Sequence, residues 1–307
     1  MTRLGSTTES ISLGSRTTPS FRDLVSSCFE LTKPRLTFLA VLTTLLGFYF
    51  GSQDPIDLGL LFHTLFGASL VGGGVNALNQ FFERDTDAKM KRTQARPLPS
   101  GRLQDEQAFN FGLVISVVGI LHLAFFVNPL TSFVATLIFV TYLVFYTPLK
   151  KKTPLSTLVG ALPGALPPVL GWIAARGSFD LEAWVLFAIL FFWQMPHFLA
   201  IAWVCREDYA RAGFPMFTVL DKSGKATIWR TVFYSTILSA VSLVPAVIGM
   251  TGPIYFFAAA ILGISFLGFG LYQIASDPST CAKKFFLASI LYLPLLIAAM
   301  MLDKVWQ

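Results

Sequence analysis

Seven stretches of this chain carry no aspartate, glutamate, lysine or arginine: residues 36–53, 58–82, 107–149, 153–175, 183–204, 231–276 and 285–302. A bilayer core about 30 Å thick is crossed by about 20 apolar helical residues. In lipid every backbone amide must find its partner within the chain, so such runs become helices. Five of the stretches have the length of one crossing. The run 107–149 is interrupted at Val127-Asn128-Pro129, and the run 231–276 at Gly249-Met250-Thr251-Gly252-Pro253. Each of these two therefore supplies two helices joined by a tight turn. The expectation is an all-α integral membrane protein with nine transmembrane helices. The runs are continuously apolar rather than alternating, which argues against barrel strands. Charged residues make up 13% of the chain, against about 25% in a soluble domain. That excludes a soluble pair of domains, a disordered chain and a disulfide-stapled module.

Nine crossings put the termini on opposite faces. Counting lysine and arginine loop by loop gives 21 on the face of the N-terminal tail and 2, Arg176 and Lys304, on the other. This is the positive-inside pattern, and one missed or invented helix would scramble it. The N-terminus is thus expected in the cytoplasm and the C-terminus across the membrane, read as a bacterial plasma (inner) membrane, with a mitochondrial setting left open. The net charge of +6 belongs to these membrane-flanking loops, so it does not point to nucleic acid. Residues 1–35, rich in Ser, Thr and Arg, read as a disordered cytoplasmic tail, although a transit peptide has similar composition. Residues 36–302 read as one nine-helix domain. Cys28, Cys205 and Cys281 show no metal spacing and read as free thiols.

Two loops on the basic face are long, 83–106 and 205–230, which is where a site is expected. Asn79, Glu83 and Asp87 recur every four residues at the exit of the second helix. Each step of four turns a helix by about 40°, so the three oxygen-bearing groups share one face within roughly 80°. Lys89, Lys91, Arg92 and Arg96 follow at once. Hard oxygens beside a basic cluster suit a Mg²⁺-bridged polyphosphate, while a solvated helix end explains the same residues equally well. Glu207, Asp208 and Tyr209 form a second acidic patch at the same depth, which also reads as a snorkelled helix end. Lys150 to Lys152 offer charge to phosphate or lipid headgroups. The fifth helix carries Gly160, Pro163, Gly164, Pro167, Pro168 and Gly171, which reads as close packing or as room for a bulky ligand. His63 and His122 read as polar packing groups. His197, in the basic half of the sixth helix, is a candidate axial ligand to an iron porphyrin.

Three segments, within a match over roughly residues 30–302, carry a resemblance to the UbiA superfamily of intramembrane prenyltransferases, in the branch that farnesylates haem. The first is Asn79-x3-Glu83-x3-Asp87, with glutamate at the middle acidic place, and the Arg92-Thr-x-x-Arg96-Pro97 run. The second is Tyr146-Thr-Pro-Leu-Lys150 leading into the Gly/Pro-rich helix. The third is Met195-Pro-His197-Phe with Arg206-Glu-Asp208-Tyr. The wider superfamily's second motif is Asp-x3-Asp, whereas here Ala212 stands four residues after Asp208. The resemblance implies helices around a central cavity capped by the polar loops. It implies farnesyl diphosphate as donor and protohaem IX (haem B) as acceptor, giving haem O and diphosphate. Mg²⁺ would be held by Asn79, Glu83, Asp87 and Asp208. Arg92, Arg96, Lys150 and Tyr146 would bind diphosphate, and His197 the haem. A haem A synthase would accept the product, by analogy. Transfer to another aromatic acceptor is the nearest alternative. A transporter of an anionic metabolite is more remote, because no inverted repeat with paired broken helices is evident.

Overall fold

The computed structural model describes residues 20–53, 55–273 and 278–305. Among these, nine helices are long and apolar enough to cross a membrane: Pro34–Gly51, Leu58–Asp87, Asp105–Phe126, Pro129–Leu149, Ser156–Arg176, Leu181–Val204, Lys225–Val247, Pro253–Tyr272 and Cys281–Leu302, here spans 1 to 9. The chain is a multi-pass membrane protein. Both interrupted runs divide where expected. Asn128 caps span 4 by accepting the Thr131 amide at 2.8 Å, with Pro129 in the first turn. The turn before span 8 uses Gly249 at φ 80°, and Pro253 starts the helix.

Part of the tail expected to be disordered is ordered. Phe21–Leu31 is a helix opened by a Ser20/Asp23 capping box. Its apolar residues fall on two faces, which composition alone hides. Leu24, Cys28 and Leu31 pack on Ala77, Phe81 and Ala108 of spans 2 and 3. Phe21, Val25 and Phe29 remain exposed. An exposed apolar stripe on a helix at the end of a span is the pattern of a helix that rests on a membrane surface. Residues 1–19 of that tail lie outside the described residues.

Span 5 is the pivot of the bundle, with 67% of its apolar window buried, against 22–50% for the other spans. Lipid tails are as apolar as leucine, so membrane helices associate through close packing of small residues. Span 1 lies against span 5 in this way. A side chain at Gly47 would strike the Pro168 carbonyl, and one at Gly171 the Thr44 carbonyl. Gly160 makes room for the Tyr146 ring and Gly164 for the Gln194 side chain. Both readings of the Gly/Pro helix therefore apply: Gly171 is packing, while Pro163, Gly164 and Pro167 line an internal cavity between spans 1, 2, 4 and 5. Span 4 contains a π-helical turn, Thr141–Tyr146, a device that re-aims side chains at functional sites.

Candidate active site

Span 2 continues past the membrane as a regular helix to Asp87, which keeps Asn79, Glu83 and Asp87 on one face. All three are buried, at 3%, 3% and 0% exposure. A buried carboxylate persists only if it is paired. The pairing comes one cation per ladder position, each from a different segment. Lys33, in the turn before span 1, donates to Asn79 Oδ1 at 3.1 Å. Lys150, just beyond span 4, donates to both Glu83 oxygens at 3.0 and 3.1 Å. Arg96, from the loop after span 2, meets Asp87 Oδ2 at 2.6 Å. The loop is tied down by Thr93, whose hydroxyl donates to the Asp87 carbonyl at 2.8 Å. Asn79 in turn donates to Thr147 Oγ1 at 3.3 Å.

Lys33 escaped the sequence reading, where it counted only as one basic residue of the tail. It is the one described non-glycine residue with positive φ, 47° with ψ 66°. Left-handed backbone is unfavourable for a lysine, and the following Pro34 restricts it further. Strain of this kind persists where the surroundings over-determine it, and it gathers at functional sites. Burial, then the charge of Arg96, pulls the Lys33 ammonium down to about 7, against the opposing pull of Glu83 and Asp87. Burial also works against the charge on Lys150, but the Glu83 carboxylate outweighs it and holds the ammonium above its ordinary value.

The loop after span 6 closes over the same rim. Ala212, Phe214 and Met216 bury Met90 of the first loop, and the Lys150 ammonium lies 4.8 Å from the Phe214 ring centre. Asp208 reaches across to accept the Lys91 amide at 3.3 Å and the Arg211 guanidinium at 2.7 Å. Burial opposes its charge, but the Lys91 amide, the Arg211 side chain and the Arg92 amide hold its carboxyl below the usual range. Asp208 thus joins the two loops. The structure does not gather it with Glu83 and Asp87: the described residues hold no group of three or more carboxylate, imidazole or thiol side chains placed to share a metal. Arg92 is exposed on the loop beside Asp208. The Tyr146 ring fills the space left by Gly160, with the Lys150 ammonium 6.0 Å from its centre.

The donor set nevertheless fits Mg²⁺. Asp87 Oδ1 is buried and has no hydrogen-bond partner, and Asp87 shares its helix face with Glu83 and Asn79. Few protein ligands is the habit of Mg²⁺, which keeps waters and substrate phosphate in its shell.

His197 faces span 9 rather than the ladder. Its Nδ1 is 2.8 Å from Ser289 Oγ, and its ring stacks on Trp193 at 4.8 Å. The Ser289 hydroxyl donates to the Phe286 carbonyl at 2.6 Å. Its oxygen therefore accepts from Nδ1–H, which leaves Nε2 as the nitrogen with the lone pair. His63 and His122 bond each other at 3.2 Å within a phenylalanine cluster at the other end of the bundle, consistent with packing. The three cysteines are free thiols.

The sequence profile of the UbiA prenyltransferase family matches residues 40–290. A protoheme IX farnesyltransferase of Solibacter usitatus (strain Ellin6076) is 45% identical over 284 residues, 90% of this chain and 97% of that one. A protoheme IX farnesyltransferase of Koribacter versatilis (strain Ellin345) is 43% identical over 296 residues, 93% and 96% of the two chains. Among solved structures, a digeranylgeranylglyceryl phosphate synthase superposes with a TM-score of 0.78 at 17% identity, covering 92% of this chain and 98% of that one. A UbiA homologue from Archaeoglobus fulgidus bound to GPP and Mg²⁺ superposes with a TM-score of 0.65 at 16% identity, covering 90% and 99%.

Proposed function

The chain belongs to the UbiA prenyltransferase family, and from that premise we propose that it transfers a farnesyl group from farnesyl diphosphate to the 2-vinyl group of protohaem IX, giving haem O and diphosphate. The observation that carries the reading is the rim itself, where three buried ladder oxygens face three cations drawn from separate segments. The acceptor follows from the relatives named protoheme IX farnesyltransferase, which match over nearly the whole chain.

Asn79, Glu83 and Asp87 would hold Mg²⁺, which would polarise the diphosphate oxygens and ease their departure. Asp208 supports it from the second loop by fixing the Lys91 backbone. As the diphosphate enters, Lys33, Lys150 and Arg96 pass from the ladder oxygens to the phosphate oxygens, with Arg92 outermost. They then stabilise the charge that develops as the carbon–oxygen bond breaks. Tyr146 and Phe214 wall the opening and keep water from the allylic cation. The vinyl carbon attacks that cation, and water adds to the resulting porphyrin-stabilised cation as a hydroxyl, releasing a proton. His197 offers Nε2 to the haem iron, its tautomer set by Ser289. The basic face lies in the cytoplasm of a bacterial plasma membrane, so the donor arrives from the cytoplasmic side. The product then passes to a haem-modifying partner such as a haem A synthase.

Mass spectrometry of haems from cells with and without the chain tests the proposal. Haem O is expected only with the chain. Prenylation of 4-hydroxybenzoate in place of haem, when both are offered with farnesyl diphosphate to purified protein, would refute the acceptor assignment.

A further inference from the structure

The internal cavity begins one turn below the ladder, where Asn76 and Tyr142 line it, and ends at Thr44, Ala68 and Leu170. Its depth can be read from three helices separately, because a hydrogen bond or contact sets each to the level of Asn79. On span 2, Ala68 is eleven residues from Asn79. On span 1, Thr44 is eleven residues from Lys33, which is bonded to Asn79. On span 5, Leu170 is ten residues from Gly160, which touches Tyr146, the neighbour of the Asn79-bonded Thr147. At 1.5 Å per residue the three counts give about 15 to 17 Å. They agree on one floor.

An extended farnesyl chain has twelve carbons in line and spans about 14 Å, from single bonds near 1.5 Å. A geranyl chain, four in-line carbons shorter, spans about 9 Å, and a geranylgeranyl chain about 19 Å. With C1 at the ladder, farnesyl reaches the floor, geranyl stops short of it and geranylgeranyl overruns it. A tail leaving sideways would escape this limit. A separate groove between spans 1, 2 and 3 is lined by Thr37, Phe38, Val41, Leu70, Gly73 and Ile115. Asn76, which lines the cavity, donates from Nδ2 to Thr37 Oγ1, which lines the groove, at 3.1 Å, so a hydrogen bond bridges the seam between spans 1 and 2 where the two approach.

We propose that Ala68, Thr44 and Leu170 are the specificity-determining floor of a prenyl pocket between spans 1, 2, 4 and 5, fixing the donor at fifteen carbons. The inference rests on the proposed prenyl-diphosphate chemistry of the rim, and it is independent of the acceptor. The two selected substitutions act in opposite directions. Ala68→Phe fills the floor, and Leu170→Ala lowers it.

The test offers geranyl, farnesyl and geranylgeranyl diphosphates to the purified full chain in nanodiscs, reading donor binding by tryptophan fluorescence and prenylated haem by mass spectrometry. The wild type is expected to favour farnesyl over geranylgeranyl by about tenfold or more, the scale on which a pocket rejects excess hydrocarbon. Ala68→Phe is expected to lose that much farnesyl binding while keeping geranyl, and Leu170→Ala to gain geranylgeranyl relative to farnesyl. Unchanged length preference in both variants would overturn the floor and send the tail through the groove. Length-ordered binding without any haem product would uphold the floor and refute only the acceptor.

Discussion

Replacing Lys150 with methionine tests the rim where its energetics are most exposed. The substitution keeps most of the aliphatic stem and removes the ammonium that both Glu83 oxygens accept from. The pair is nearly dry, the side chains being 11% and 3% exposed. A buried carboxylate stripped of its partner costs about 3–5 kcal/mol. Lys33 also attracts Glu83, so the lower end applies, about 3 kcal/mol, or a little over a hundredfold in the unfolding equilibrium. Removing both charges, as in Glu83→Gln with Lys150→Met, leaves no uncompensated ion and should recover most of that loss. Activity should not follow stability. Lys150 also faces the departing diphosphate, and deleting a preorganised donor at such a position costs about 10²–10³ in turnover. The double variant should therefore be stable and inactive. Thermal unfolding of the purified protein in detergent, alongside haem product by mass spectrometry, reads both. Wild-type unfolding in Lys150→Met, or a double variant less stable than the single, would refute the argument that Glu83 depends on this partner.

Asp87→Asn preserves shape while removing the charge at the unpaired Oδ1, and it should cut haem O formation at least a hundredfold at unchanged abundance in membranes. Chelation of Mg²⁺ should do the same to the wild type, and wild-type turnover in Asp87→Asn would sink the metal assignment. Lys33→Met should weaken farnesyl diphosphate about tenfold, the scale of one charge-assisted hydrogen bond. Calorimetric titration checks this, and unaltered affinity would remove Lys33 from the site. Asp221 caps the start of span 7, accepting the Thr227 amide at 2.8 Å and the Gly224 amide at 3.0 Å. Burial works against its charge, but these amides with the Thr227 and Ser223 hydroxyls hold its carboxyl below the usual range. Its folded value lies under the unfolded one, so the stabilisation is present above about pH 4 and is lost as pH falls through the folded value. Asp221→Ala should cost about 1 kcal/mol near neutrality and flatten the acid limb of thermal stability, and an unchanged acid limb would contradict the cap.

The crossings were legible because their cause is local: an apolar run of bilayer length has no other way to satisfy its amides. Both interruptions carried their own chemistry, Asn128-Pro129 and Gly249 to Pro253. The ladder was legible for a similar reason, since three residues spaced by four share a helix face whatever the rest of the fold does. The amphipathic helix Phe21–Leu31 was missed because its stability comes from packing on spans 2 and 3, which a serine-rich and arginine-rich composition does not announce.

Which cation meets which oxygen was beyond the reach of spacing. Lys33, Arg96 and Lys150 lie 46, 9 and 67 residues from their ladder partners, and only the docking of span 1 and span 4 against span 2 brings them together. The same docking turned Asp208 toward the backbone of the first loop and His197 toward Ser289, and it left a cavity between four helices. Periodicity along a chain decides which residues share a face. The distance between faces is decided by glycines and prolines meeting across helices, where close packing has no one-dimensional signature.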